Sequence, residues 1–396
     1  MKLSERAMAI EPSATLEVSA KAKAMKREGK PVISFAAGEP DFDSPSAALS
    51  FASEAMNNGM THYTPATGIP ELKEAILNYY SSHFELEYTE KQVIVGSGAK
   101  PLLYEVLGCL VDPEDEVLLF TPAWVSYQEQ VKLFNGKAVC VDTTGTGFMP
   151  TRENIEKNLS PRTRVMMVNS PNNPTGAVYN DSALNTLAEI AIEHDLLIIF
   201  DEIYERLVYE NSVHKHILNV RPDIKDRCLI INGVSKAYAM TGWRIGYAIG
   251  PEEIVSKMGA FQGHMTSNPC SVAQWAAVGA MRESEDDIEV MRTEFSARRD
   301  LILDLLSKMP HISFQKPYGA FYVWINIEKT FGMKYKGETI TDDSSFCRIL
   351  LEGEYVATVP GKAFISPGKI RISYSNSRTE ITEGMQRLSS FLKELK

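Results

Sequence analysis

One lysine sets the terms of the chemistry. Lys236 lies in the run Ser235-Lys236-Ala237-Tyr238-Ala239-Met240-Thr241-Gly242-Trp243-Arg244, shortly after an apolar stretch, Cys228 to Ile231, that reads as a buried strand. A lysine at the end of a buried strand loses hydration of its ammonium, so its pKa falls and its amine becomes nucleophilic near neutrality. Such an amine can form a Schiff base with an aldehyde cofactor. Arg244 follows eight residues later and carries the permanently charged, planar group that neutralises a phosphate.

Other reactive residue types fall at comparable places. Asp201 directly follows Leu196–Phe200. A carboxylate there is costly unless paired, although Asp followed by Glu202 also suits a helix N-cap. Gly98-Ala99-Lys100 precedes an apparent helix, Pro101 to Leu110, and small residues at a helix N-terminus let backbone amides approach a phosphate. Arg371, in Lys369-Ile370-Arg371-Ile372-Ser373, is a cation inside an apolar strand pattern. It can clamp a carboxylate bidentately or, on an edge strand, face solvent. Asn173 lies in Asn-Pro-Thr-Gly, a turn of breakers that admits a cis proline. Trp124, in Pro-Ala-Trp-Val-Ser-Tyr, can stack on a ring or fill a core.

The elements that must position these residues alternate. The apolar runs are Gln92–Val95, Glu116–Phe120, Val165–Val168, Leu196–Phe200, Leu229–Ile231 and Ile245–Ile249. They are near-continuous in apolar residues, as in a mostly parallel sheet covered on both faces by helices such as Asp181–His194. Five successive runs lead into polar or aromatic residues, and open α/β sheets bind ligands beyond the carboxyl ends of their strands. From about residue 285 the pattern changes to a long charged helix, Glu285–Lys308. Strands at Phe321–Ile327, Thr358–Pro360 and Ile370–Tyr374 and a closing helix, Thr379–Lys396, follow. This reads as a smaller α+β domain.

Bulk properties narrow the function. At 396 residues the chain is expected to form two or three domains. Its net charge of −10 argues against nucleic acid, which demands clustered positive charge. No apolar run approaches the length of a membrane span, and the first residues lack the apolar core of a secretory signal. Five scattered cysteines with no CxxC pair suggest reduced thiols in a cytoplasmic protein. His214 and His216 show no metal-ligand spacing and read as a solvated loop.

Together these segments resemble the class I aminotransferases, pyridoxal-phosphate enzymes on the fold-type I scaffold. The resemblance runs over nearly the whole chain and sharpens toward the bacterial aspartate aminotransferase subgroup. It implies an α/β fold: a large domain with a mostly parallel seven-stranded sheet covered by helices, plus a smaller α+β domain. The corresponding divisions are an arm with part of the small domain over 1–42, the cofactor-binding domain over 43–284 and the small domain over 285–396.

The resemblance also implies roles. Lys236 carries the cofactor and then shuttles a proton, Asp201 faces the pyridine nitrogen, Tyr204 bonds the ring oxygen and Trp124 stacks on the ring. Asn173 contacts the ring oxygen and the substrate carboxylate. Gly98, Ala99, Lys100, Ser235 and Arg244 surround the phosphate, joined by the partner subunit's Tyr63, so a homodimer with shared sites is expected. Arg371 and the backbone of Gly38, in Ala-Gly-Glu-Pro-Asp-Phe, take the α-carboxylate, while Lys100 and Thr15 approach the distal one. These imply ping-pong transfer from aspartate or glutamate to 2-oxoglutarate or oxaloacetate, with an aromatic or broad-specificity aminotransferase as the alternative.

Two departures stand out. Many relatives carry a hydroxyl residue three before the lysine, where this chain has Gly233, which puts that phosphate contact in doubt. Some subgroup members that accept prephenate carry a lysine just before the Pro-Ser of the arm. Here that residue is Glu11, which predicts poor prephenate use. A β-lyase or synthase of the same fold shares the cofactor residues. A regulatory protein with a degenerate domain is disfavoured by the presence of Lys236 and by a resemblance that begins within the first fifteen residues.

Overall fold

The computed structural model describes residues 2–396. Seven strands form its main sheet, in the order Val93–Gly96, Gly246–Ile249, Cys228–Gly233, Leu197–Asp201, Thr163–Asn169, Glu116–Thr121, Lys137–Asp142. Only Gly246–Ile249 runs against its neighbours; the other pairings are parallel. The expected runs are present with ends shifted by a residue or so. The last strand was not anticipated. Lys137–Asp142 lies at the sheet edge and only Val141 in it is buried, so it lacks the continuous apolar pattern.

The period-two geometry of a strand divides each run between two cores. Leu118, Phe120, Met166, Val168, Ile198 and Phe200 pack with the helix Asp181–Glu193 on one face. Val117, Leu119, Val165, Met167, Ile199 and Ile231 pack on the other, against Ala99–Leu110 and Glu252–Met265. Each such side chain contributes about 1.5–3 kcal/mol on full burial, which fixes register along the whole sheet. Because the central strands are parallel, their carboxyl ends share one edge. Asn169 and Asp201 are register partners there.

A second, four-stranded antiparallel sheet has the order Val359–Pro360, Lys369–Ser373, Tyr322–Asn326, Ser313–Phe314. It packs with the helices Glu285–Ser307 and Arg378–Glu394. The short strand Ile33–Ser34 pairs in parallel with Val356–Ala357, so the N-terminal segment joins this second layer. No helix among the described residues is long and apolar enough to cross a membrane.

Candidate active site

Lys236 sits in a one-turn helix, Val234–Ala237, directly beyond the strand Cys228–Gly233. Its Nζ donates to the carbonyl of Gly38 at 2.6 Å. Burial pulls its ammonium down to about 8; Arg244 and Arg371 reinforce this, while Glu39 and Asp201 oppose it. Burial thus raises the share of free amine near neutral pH, the form a nucleophile and proton acceptor requires.

Asp201 closes the neighbouring strand and is 4% exposed. Its Oδ2 accepts from the Tyr127 hydroxyl at 2.6 Å and its Oδ1 from the Ile203 amide at 3.1 Å. Burial raises this carboxyl to about 6, and those two bonds and Lys236 hold it from rising further. It is not a helix N-cap: a turn rather than a helix follows it.

Arg371 lies on an interior strand of the second sheet, not an edge, and is 1% exposed. Its Nη1 donates to Asn173 Oδ1 and its Nη2 to the Ala36 carbonyl, each at 2.9 Å. The guanidinium stacks over Tyr322 at 4.3 Å and lies 4.9 Å from the Phe364 ring. Its Nε is buried without a partner. Asn173 in turn donates its amide to Asn169 Oδ1 at 2.8 Å, and Asn169 Nδ2 donates to the Asp201 carbonyl at 3.0 Å. A hydrogen-bonded path thus runs from the arginine to the strand carrying the aspartate. The Asn173-Pro174 bond is cis. Tyr204 and Tyr322 join hydroxyl to hydroxyl at 2.9 Å.

The remaining candidates form a cradle. Gly98 has φ +98°, and a Cβ there would lie 2.4 Å from Nη2 of Arg244. A Cβ on Gly246 would lie 2.3 Å from the Ala99 amide nitrogen. Only glycine permits these approaches. Ala99 opens the helix Ala99–Leu110, whose first amides have no intrahelical partners. Arg244, itself at φ +58°, is held by its Nη1 bond to the Thr241 carbonyl at 2.8 Å. Ser235, half-buried Trp124 and Lys100 complete the wall, with the Lys100 ammonium 4.7 Å from the Trp124 ring. Partial burial first, then Arg244, lower the Lys100 pKa. Thr15 Oγ1 is buried without a partner.

A cavity of about 370 Å³ collects Thr15, Gly38, Lys100, Trp124, Lys236 and Arg371, among others. Tyr63 stands apart, 92% exposed. The site fits pyridoxal phosphate on observations of its own: a glycine cradle with an arginine over it, a buried carboxyl at a strand end, and a buried lysine held below its ordinary pKa. The unpartnered Arg371 Nε is a donor suited to a carboxylate.

Three contacts were not anticipated. Tyr127 holds Asp201 across 74 positions of sequence, Asn169 links Asn173 to Asp201, and Tyr322 lies under Arg371. Tyr127 falls inside the Trp124 motif, which was its one available signal. The histidine expectation is overturned. His214 and His216 are 7% and 0% exposed, and Glu202 lies between them, 2.9 Å from His214 Nε2 and 3.6 Å from His216 Nε2. Burial lowers both, His214 to about 4. Their carboxylate partner lies 12 residues before His214, outside the short spacing of a local motif, so spacing along the chain does not reveal it.

Residues 30–388 match the family model of the class I and II aminotransferases. An aspartate aminotransferase of Geobacillus stearothermophilus is 42% identical over 99% of both chains. Among solved structures, the aspartate aminotransferase of Rhizobium meliloti superposes with a TM-score of 0.96 at 38% identity, over all of both chains. That of Thermus thermophilus with maleate gives 0.93 at 38% identity, over 99% of this chain and all of that one. With a lysine, an aspartate and an arginine meeting in one cavity between two sheets, and with likeness of this extent, the chain belongs to the class I and II aminotransferases.

Proposed function

We propose that this protein catalyses ping-pong transfer of the amino group of aspartate or glutamate to 2-oxoglutarate or oxaloacetate. The observation that carries the reading is one cavity lined by three basic groups of different character. Lys236 is a buried amine held below its ordinary pKa, Arg371 is a buried fork and Lys100 is an exposed point charge. A dicarboxylic amino acid needs all three.

Pyridoxal phosphate, when bound, supplies the electron sink and carries the amino group between the half-reactions. Asp201, held by Tyr127, would keep the proton on the ring nitrogen. Gly98, Ala99, Ser235 and Arg244 would hold the phosphate, with Trp124, Asn173 and Tyr204 holding the ring. Arg371 and the backbone of Gly38 fix the α-carboxylate, and Lys100 with Thr15 receives the distal one. Lys236 Nζ would take the proton from the substrate α-carbon and deliver it to the cofactor carbon. The exposure of Tyr63 supports a homodimer in which the partner's Tyr63 reaches the phosphate. On this reading residues 43–284 bind the cofactor, and 1–42 with 285–396 form a smaller domain over it, in the cytoplasm.

Lys100→Ala tests the specificity. The ratio of kcat/KM for aspartate to that for phenylalanine is expected to fall about 10-fold or more, the worth of one charge-assisted hydrogen bond. An unchanged ratio would move the assignment to an aromatic or broad-specificity aminotransferase.

A further inference from the structure

The segment Ala36–Ser44 carries the Gly38 carbonyl and the Ala36 carbonyl into the active site, yet it belongs to no helix or strand. None of its amides donates to another backbone group. A stretch without backbone pairing has to be placed by side chains. Five contacts do so. Arg371 and Lys236 bond Ala36 and Gly38. Thr241 Oγ1 donates to Glu39 at 3.0 Å, Arg298 Nη1 to Asp41 Oδ1 at 2.6 Å, and Trp243 Nε1 to Ser44 Oγ at 2.9 Å.

These tethers are not equivalent. On the functional reading above, Lys236 and Arg371 turn to the reacting groups and the substrate. Thr241 and Trp243 belong to the Lys236 side of the cleft. The remaining link to the second layer is Arg298, on the long helix Glu285–Ser307. This guanidinium is 7% exposed, and its Nε is fixed by Glu294 at 2.9 Å. Glu294 is itself held by Arg378. Phe42 adds an apolar clasp: its ring meets Phe295 edge-on at 5.4 Å, and Arg298 lies over it at 5.2 Å. A charged, largely buried and triply anchored group thus ends on Asp41, three residues from Gly38.

We propose that Arg298 is a positioning residue that acts through Asp41 to hold the Gly38 backbone where the substrate's α-carboxylate binds. The proposal rests on the aminotransferase reading. It assigns a task to the acidic end of the Ala-Gly-Glu-Pro-Asp-Phe motif, which touches neither cofactor nor substrate. It also ties the small sheet to the substrate-binding loop whenever Arg371 is engaged.

The test uses the holoenzyme. Maleate, an unreactive dicarboxylate, is titrated against the visible absorption of wild type, Asp41→Ala, Arg298→Ala and the double variant. Each single change is expected to weaken maleate about 10-fold and the double change scarcely further, as coupled partners do. KM for aspartate should rise more than kcat falls, with cofactor affinity near wild type. A purely structural role would lower stability and cofactor affinity together and leave KM in place. Asp41→Asn and Arg298→Lys, the more conservative changes, replace any variant that fails to fold. Wild-type maleate affinity in the folded single variants, or additive effects in the double, overturns the proposal while the wild-type enzyme still transaminates. A wild-type holoenzyme that ignores both aspartate and maleate overturns the functional reading, and the proposal with it.

Discussion

Gly233→Ser would place a hydroxyl three residues before Lys236, where the family resemblance expects one. It is expected to damage this protein rather than improve its phosphate site. Gly233 is a register partner of Gly246 in adjacent strands. A Cβ at 233 would lie 2.8 Å from the Gly246 Cα and 2.9 Å from the Ile245 carbonyl. Both are backbone atoms of buried residues, so neither can rotate away. The dihedral angle is not the obstacle, since φ 166° is extended backbone open to any residue.

Replacing glycine would by itself stabilise by about 0.4–1 kcal/mol through the unfolded chain. Overpacking costs about 1–3 kcal/mol, and backbone contacts place this site toward the upper end. The net expectation is a loss of about 1–2 kcal/mol. The Ala99 amide lies against Gly246, so any strand separation also opens the phosphate cradle. Urea unfolding followed by tryptophan fluorescence measures the stability, and titration of cofactor-free protein with pyridoxal phosphate measures the cradle. A variant of wild-type stability that binds the cofactor more tightly would refute the steric reasoning.

Three further outcomes follow from the same geometry. Arg371→Lys keeps the charge but loses the fork; at about 1.5–3 kcal/mol for one charge-assisted bond, kcat/KM for aspartate should fall about 10- to 150-fold, and a loss under threefold (~0.7 kcal/mol) would contradict the clamp. Tyr127→Phe removes a bond that holds the Asp201 carboxyl down; burial raises that group to about 6 and its proposed role requires it ionised, so activity is expected to fall as pH drops through its pKa. The acid limb of the kcat/KM profile should therefore move to higher pH, and a shift to lower pH would contradict the assignment. Glu11 and Glu129 line a cavity beside Lys100, where two carboxylates repel a second acidic group; Glu11→Lys should raise prephenate turnover relative to oxaloacetate, and comparable turnover of both by the unaltered protein would refute the premise.

What the chain discloses about itself depends on distance along it. The buried strands were legible because burial on both faces writes a continuous apolar run. Direction was not: Ile245–Ile249 reads like its parallel neighbours, yet the strand Gly246–Ile249 is antiparallel to them, since burial says nothing about polarity. The edge strand Lys137–Asp142 was hidden because one exposed side breaks the run. Lys236, Asp201 and Arg371 stood out as charges beside apolar stretches. Their partners did not, because Tyr127 lies 74 residues from Asp201, and Asn173 lies 198 from Arg371. His214 and His216 looked solvated for the same reason. Glu202 meets them only through the fold.

The central claim is tested most directly by recording the visible absorption of the holoenzyme, adding aspartate without an acceptor, and then adding 2-oxoglutarate. The account predicts that the band moves to shorter wavelength with aspartate and returns with 2-oxoglutarate. A band that ignores aspartate but responds to phenylalanine or alanine would contradict dicarboxylate use. No band at all, even with added pyridoxal phosphate, would contradict the role of Lys236 itself.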